Sequence, residues 1–222
     1  MQVDWYGQSA FALTTPETKL FIDPFDEMAG LAERGMRFDY PPIEGVGADL
    51  LLVTHEHRDH NAVEAIGGDP QILRSTAGTL ASPIGEVVAV ASEHDTVAGT
   101  QRGANVIFVF ALGGLRIAHF GDFGQAELRE EQAAAIGKVD LAFLPVGGGP
   151  TIDGLQAAVI ARTIGAQWVV PMHYGNERVD FLAPADDLLA VLAGTHRPGA
   201  TGFDTAALPN GGAPVAVVPD AP

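Results

Sequence analysis

Thr54-His55-Glu56-His57-Arg58-Asp59-His60 is the most informative stretch of the sequence, and it directly follows the apolar run 50–53. Such a run is typical of a strand buried on both faces. Imidazole is the commonest neutral metal ligand, and a carboxylate balances the charge of a divalent ion. Side chains two apart on extended backbone point the same way, so the first two histidines can bind one ion together. A turn then presents the aspartate and the third histidine to a second ion. The alternative is a polar surface loop that happens to collect histidines.

The composition predicts one soluble α/β domain over residues 1–222, because chains of this length commonly fold as one unit. With 0 Cys, disulfides, thiolate metal sites and thiol nucleophiles are excluded. The formal net charge of -16 disfavours binding to nucleic acid. The sequence shows neither a membrane-spanning run nor a secretory signal, so we expect a cytoplasmic protein that does not bind membranes.

Apolar and turn-forming residues predict a β-rich first half followed by alternating helices and strands. Strands are expected at 3–6, 11–14, 19–22, 50–53, 86–91, 106–112, 115–118, 139–144 and 168–170. Helices are expected at 125–136, at about 152–164 with Leu155, Val159 and Ile160 on one face, and from Pro184. Residues 27–42 read as a long surface loop, and the chain end reads as a short apolar run with a frayed tail. Two sheets covered by outer helices would satisfy both halves.

Four side chains from one loop cannot saturate two ions, so further ligands are expected where other strands end. His94 follows the strand at 86–91, Asp122 follows the strand at 115–118, and His173 follows the strand at 168–170. Strand ends are where α/β scaffolds display functional groups. These three residues are therefore the candidates that complete the site.

The pattern HxHxDH resembles the metallo-β-lactamase superfamily. Further segments resemble its branch of small hydrolases related to L-ascorbate-6-phosphate lactonase: 5–11, 21–24, 119–124, 145–148 and 171–174. The resemblance implies an αββα sandwich with two metal ions in the cleft between the sheet edges. It also implies the ligand sets: His55, His57 and His94 for the first ion, Asp59, His60 and His173 for the second, and Asp122 bridging. Gln8 and Gln125 stand where many relatives carry His, which bears on substrate preference.

Five further residues are candidates beside the ligands or on the substrate side. Asp23 either orients a ligand imidazole or caps its turn, and His119 is either a partner of Asp122 or a core histidine satisfied by backbone. Thr151 either caps the following helix or helps a glycine-rich turn to bind an anion. Tyr174 either polarises a substrate oxygen or packs, and Arg178 is expected to hold an anionic group of the substrate.

These features predict a metal-dependent hydrolase in which a metal-bridging hydroxide attacks an ester-type bond, a lactone or a phosphoester, of a small polar metabolite. Asp59 is the expected catalytic residue, because it can both ligate an ion and orient or accept a proton. His57 stands where the related flavodiiron oxygen reductases carry Glu, which favours hydrolysis. Zn is the first choice of divalent ion, with Mn, Ni or Fe also compatible. The alternative is a non-catalytic metal-binding or partner-binding module of the same fold, and a homo-oligomer is compatible with either.

Overall fold

Two facing β-sheets form the centre of the protein in a computed structural model that describes residues 1–210 and 212–222. The first sheet has the strand order β15-β1-β2-β3-β5-β7. Its strands are β1 (Gln2–Gly7), β2 (Ala10–Thr14), β3 (Lys19–Ile22), β5 (Leu50–Val53), β7 (Gln71–Arg74) and β15 (Gly202–Asp204). A separate short pair joins β4 (Val46–Gly47) and β6 (Ile66–Gly67).

The second sheet has the order β14-β16-β13-β12-β11-β10-β9-β8. Its strands are β8 (Gly78–Ser82), β9 (Gly85–Glu93), β10 (Ala104–Leu112), β11 (Leu115–His119), β12 (Leu141–Pro145), β13 (Trp168–Met172), β14 (Gly194–His196) and β16 (Val215–Val217). Strands β11, β12 and β13 run parallel, and β9 runs in the same direction because two antiparallel steps separate it from β11. The ends of β9, β11 and β13 therefore meet at one edge of this sheet.

Apolar side chains fill the space between the two sheets. The rings of Phe11 on β2 and Phe143 on β12 lie 4.6 Å apart, and both side chains are fully buried. All four residues of β5 are buried as well, as their continuous apolar sequence predicted. This shared core fixes the ends of β5 beside the ends of the second sheet.

Helices lie on the second sheet, where α2 (Glu130–Ile136) contacts β9 and α3 (Gly154–Thr163) contacts β12 and α4 (Asp186–Val191). The expected helix at 125–136 was too long at its start, because Gln125 uses its side chain to bind the backbone N–H of Glu93 and the amide of Gln132. The expected loop at 27–42 includes one helical turn, α1 (Ala29–Ala32). The sandwich of two sheets with outer helices is confirmed.

The buried face of α3 differs from the expected one. Leu155 and Val159 are 51% and 61% exposed, whereas the helix buries Ala157, Ala158 and Ala161 together with Ile160 and Gly154. Small side chains let α3 lie close to its neighbours, and a Cβ on Gly154 would come within 2.5 Å of the backbone nitrogen of Leu188. Leu155 and Val159 therefore point away from the core.

The chain end is ordered rather than frayed. Strand β16 pairs in parallel with both β13 and β14, and the backbone N–H of Asp220 donates to the carbonyl of Ala200. Val218 and Pro219 are buried. Among the residues that the structure describes, no helix combines the length and the apolar character needed to cross a bilayer.

Candidate metal centre

Four strand ends bring the seven candidate ligands together. The heptapeptide Thr54–His60 follows β5 in the first sheet. His94, Asp122 and His173 follow β9, β11 and β13 in the second. Backbone hydrogen bonds join the two sheets here, from Val106 N–H to the Thr54 carbonyl and from His173 N–H to the Gln8 carbonyl. The site therefore lies where both sheets present the carboxyl ends of strands.

The first group of side chains contains only imidazoles. The ring nitrogens of His55, His57 and His94 that could serve as ligands all lie within 4.8 Å of one another. Nε2 of His55 and Nδ1 of His57 are 3.1 Å apart. His55 and His94 are buried and His57 is half-buried, so the group opens towards solvent on one side.

The second group combines two carboxylates and two imidazoles, and its ligand atoms also lie within 4.8 Å of one another: Asp59, His60, Asp122 and His173. Asp122 lies between the two groups. Its Oδ1 is 3.1 Å from Nε2 of His60, and its Oδ2 is 3.0 Å from Nε2 of His94 and 3.8 Å from Nε2 of His55. Nε2 of His173 is 3.3 Å from the same Oδ2. One carboxylate thus contacts both groups, which is the arrangement that a bridging ligand requires.

Unpartnered polar atoms show that these residues fit metal ions. His60 Nε2 and Asp122 Oδ1 are buried and lie 3.1 Å apart, but the geometry makes no hydrogen bond between them or to another partner among residues 1–210 and 212–222. Buried polar atoms are nearly always satisfied, so an orphaned pair calls for an explanation. Ligands at 2.0–2.1 Å from a tetrahedral Zn²⁺ lie about 3.3 Å from each other, which is close to the observed spacings. The nitrogen and oxygen donors also suit Zn²⁺, Mn²⁺, Ni²⁺ or Fe²⁺.

Hydrogen bonds on the far side of three imidazoles fix which nitrogen faces the centre. Asp23 is fully buried, and its Oδ2 accepts from His60 Nδ1 at 2.9 Å and from the Thr54 hydroxyl at 2.8 Å. The Thr54 hydroxyl lies 3.1 Å from Nδ1 of His55, which can donate to it. Nδ1 of His94 donates to the carbonyl of Pro150 at 3.0 Å. Each Nδ1 therefore donates away from the centre and each Nε2 points towards it, which is the orientation that metal-binding histidines require.

The pKa values reflect the crowding of charges. Burial lowers the pKa of His55 to about 3, and the neighbouring His60 adds to this effect. Burial also lowers the pKa of His60, but Asp122, Asp59 and Asp23 outweigh it and raise that pKa well above 6.5. Burial raises the pKa of Asp122, yet His173 and His60 outweigh it and hold that pKa well below 3.8. In neutral solution the centre thus offers a neutral imidazole at His55, whose Nε2 lone pair is free, and a carboxylate at Asp122 that stays ionised.

Two strained residues hold the second group in place. Gln8 has a φ of +49° and His173 has a φ of +50°, values that residues other than glycine rarely adopt. Gln8 Nε2 donates to Asp59 Oδ2 at 3.0 Å, while the Gln8 carbonyl accepts from the backbone N–H of His173. Gln8 thus contacts two members of the group. Gln125 acts on the first group, because its side chain holds Glu93 at the end of β9, immediately before His94.

The remaining candidates lie outside the two ligand groups. Nε2 of His119 donates to the Ser9 carbonyl, which agrees with a core histidine satisfied by backbone. Tyr174 packs on Trp5 at 5.7 Å, and burial raises its pKa. Nε of Arg178 donates to the carbonyl of Pro222 at 2.8 Å, and the residue lines a neighbouring groove rather than the cavity at the metal groups.

The expectation that Thr151 caps the following helix was wrong. Asp153 is the N-cap of α3, and it exchanges hydrogen bonds with Gln156 in a capping box. Asp153 is the cap because it lies three residues before Gln156, and its carboxylate accepts from the backbone N–H of that residue at 2.8 Å. The Thr151 hydroxyl instead faces the carbonyls of Gly148 and Ile152 at 3.4 and 3.3 Å.

A small cavity of about 160 Å³ opens directly onto the two groups. Besides His57, Asp59, His94, Asp122 and His173, its lining comprises Met28, Leu31, Phe38, Arg102, Pro150 and Phe181. The sequence did not point to these additional residues. Met28, Leu31 and Phe38 come from the segment 27–42 and Phe181 from a separate loop, and only the fold shows that the two meet.

Comparison with known proteins places the chain in a family. The β-lactamase superfamily domain matches residues 2–173. A protein from Korarchaeum cryptofilum named UPF0173 metal-dependent hydrolase is 31% identical over 196 residues, which cover 78% of this chain and 83% of that protein. A solved structure from Thermotoga maritima, described as a Zn-dependent hydrolase of the metallo-β-lactamase superfamily, has 26% identity and a TM-score of 0.77 and covers 99% of both chains. The isothiocyanate hydrolase from Delia radicum gut bacteria shares the fold, with 15% identity, a TM-score of 0.66 and coverage of 86% of this chain and 90% of that one. The chain therefore belongs to the metallo-β-lactamase superfamily.

Proposed function

We propose that this protein is a hydrolase that uses two divalent metal ions to cleave an ester-type bond, a lactone or a phosphoester, in a small metabolite. The observation that carries the proposal is the pair of adjoining ligand groups joined by Asp122 at the base of an open cavity. A closed structural site would surround a single ion with four ligands, whereas these groups leave a side open to a substrate. The name of the Korarchaeum relative supports metal dependence, and the description of the Thermotoga structure favours Zn²⁺.

When bound, such ions lower the pKa of water towards about 7 and stabilise negative charge that develops on the substrate. His55, His57 and His94 would hold one ion, and Asp59, His60 and His173 the other, with Asp122 in contact with both. Asp23 keeps the proton on His60 Nδ1, and through Thr54 it does the same for His55. These contacts keep the ligand nitrogens aimed at the centre during turnover.

Asp59 is the proposed catalytic residue. Its carboxylate lines the cavity, and Gln8 holds Oδ2 at 3.0 Å. Nε2 of His60 lies 3.6 Å from the same oxygen. Burial raises the pKa of Asp59, but His60 outweighs it and lowers that pKa, so the carboxylate is ionised at neutral pH. The fixed position of Oδ2 suits it to orient the attacking water.

The test is a metal analysis of the purified protein together with a panel of one phosphodiester, one lactone and one thioester. We expect bound divalent ions and turnover in one ester class, abolished by a chelator and by Asp59→Ala or His57→Ala. Asp140→Asn is the matched control, because Asp140 accepts a hydrogen bond from the backbone of Arg116 at the far end of β11. Bound metal without turnover of any substrate would favour a non-catalytic metal-binding or partner-binding module.

A further inference from the structure

The lining of the cavity says more about the substrate than the ligand groups do. Beside the metal groups the cavity has an apolar wall formed by Met28, Leu31, Phe38 and Phe181. Arg102 is the cationic side chain in its lining. Building on the proposed function, we propose that the substrate is a compact molecule with an apolar arm and one anionic group, and that Arg102 binds the anionic group.

Size is the first argument. A cavity of about 160 Å³ is well below the range of about 300–1,000 Å³ that holds drug-sized ligands. Met28 and Phe38 close one side, and beyond them lies a separate groove of about 790 Å³. The ring of Phe38 packs edge-on against Phe25 and Tyr40, which holds this partition in place. The apolar arm must therefore be short enough to end at Phe38.

The exposed aromatic residue at the cavity is the second argument. Phe181 is a large apolar side chain that is nevertheless 38% exposed, and it lines the cavity. An exposed apolar surface at a concave site usually marks a ligand contact. Leu31 and Phe38 extend the same surface from the 27–42 loop. Together they favour an apolar group over a sugar-like one.

Charge is the third argument. Several arginines elsewhere pair with a carboxylate, as in Arg58 with Asp26 and Arg74 with Glu56. Within the part of the chain that the structure describes, the Arg102 guanidinium has neither a carboxylate within 4.0 Å nor a hydrogen-bond partner. In a protein of net charge -16, a guanidinium that is not paired with a carboxylate and lies beside a cavity is a ready site for an anionic ligand.

The backbone of Arg102 is nevertheless fixed. Asp95 Oδ2 accepts hydrogen bonds from the N–H groups of Gln101 and Arg102 at 2.9 and 2.8 Å. Asp95 Oδ1 accepts two more, from Val97 and Gly99. Asp95 thus binds four backbone N–H groups of the loop that follows His94 and fixes the backbone of Arg102 at the edge of the cavity. An anchored backbone with a free guanidinium is suited to recognising a ligand rather than to bracing the fold.

The experiment compares two probes of the same shape, 3-phenylpropionate and its neutral amide, by titration calorimetry with the Zn-loaded protein. We expect the wild type to prefer the acid, and Arg102→Met to lose about tenfold in affinity for the acid with little change for the amide. Arg197→Met, which removes an equal charge at an exposed position outside this cavity, should leave both affinities unchanged. Phe181→Ser should weaken both probes and leave acetate binding unchanged.

Equal losses in the Arg102 and Arg197 variants, or no loss in the Arg102 variant, would overturn the assignment of the anion to Arg102. Unchanged binding of the phenyl probes to the Phe181 variant would overturn the apolar arm. Because calorimetry needs no turnover, selective binding by a protein that hydrolyses none of the panel would refute the proposed function and leave this inference standing. Turnover of a panel substrate by a protein that binds the acid and the amide equally would support the proposed function and overturn this inference.

Discussion

Replacing Asp23 by asparagine tests how the fold holds its metal-binding imidazoles. Asp23 accepts three hydrogens with two oxygens: the backbone N–H of Thr54 at Oδ1, and the Thr54 hydroxyl and His60 Nδ1 at Oδ2. Asparagine offers one oxygen, which the backbone N–H must take because that donor cannot be reversed. The amide NH₂ then faces His60 Nδ1. His60 has to accept there, so its proton moves to Nε2, which points at Asp122.

The magnitude follows from losing the correct tautomer of one ligand. Disturbing a partner of this kind typically lowers metal affinity about 10- to 100-fold, or about 1.4 to 2.8 kcal/mol. Competition with a chromophoric chelator measures the affinity, and thermal unfolding of the metal-free protein checks that the fold is retained. Asp140→Asn serves as the control, since this carboxylate also accepts a backbone hydrogen bond but lies at the other end of β11. Wild-type affinity in a folded Asp23→Asn variant would refute the reasoning.

Three further predictions concern stability. The N–H groups of the 97–102 loop outweigh burial and lower the pKa of Asp95 to about 2. The contribution of Asp95 to stability is therefore present above about pH 4 and lost as the pH falls towards 2. The difference in unfolding free energy between wild type and Asp95→Asn should shrink over that range, and a constant difference would contradict this. Gly147→Ala places a Cβ against the His173 carbonyl and should cost about 1–3 kcal/mol and weaken metal binding, whereas Gly194→Ala meets open space and should do neither; denaturant titrations compare the two. A chelator should lower the thermal midpoint, by about 8–16 °C for one site held at about 1,000 times Kd, and an unchanged midpoint would argue against ions that bind the folded state.

The parts of the site that depend on residue type and on spacing along the chain could be predicted from the sequence. The spacing of the heptapeptide and the position of His94, Asp122 and His173 after apolar runs were enough to predict which side chains would meet, and the structure brings them together. Strand ends are readable in this way because parallel strands deliver their carboxyl ends to one edge. The fold class followed from the same alternation of strands and helices.

Other parts depend on tertiary contacts that no local pattern encodes. The Pro150 carbonyl that orients His94 is a backbone group, so its residue type gives no signal. Arg102 is one arginine among several, and only the fold shows it at the cavity while Arg178 lies elsewhere. The buried face of α3 was misjudged because alanines pack closely there beside Ile160 and leave Leu155 and Val159 outside.

The central claim is that the seven side chains bind a pair of divalent ions. Anomalous diffraction from crystals of the Zn-loaded protein, collected on both sides of the zinc edge, tests it most directly. The account predicts two peaks in each chain, one among His55, His57 and His94 and the other among Asp59, His60 and His173, with Asp122 in contact with both. A map with no peak at these residues, from protein soaked in excess zinc, would contradict it.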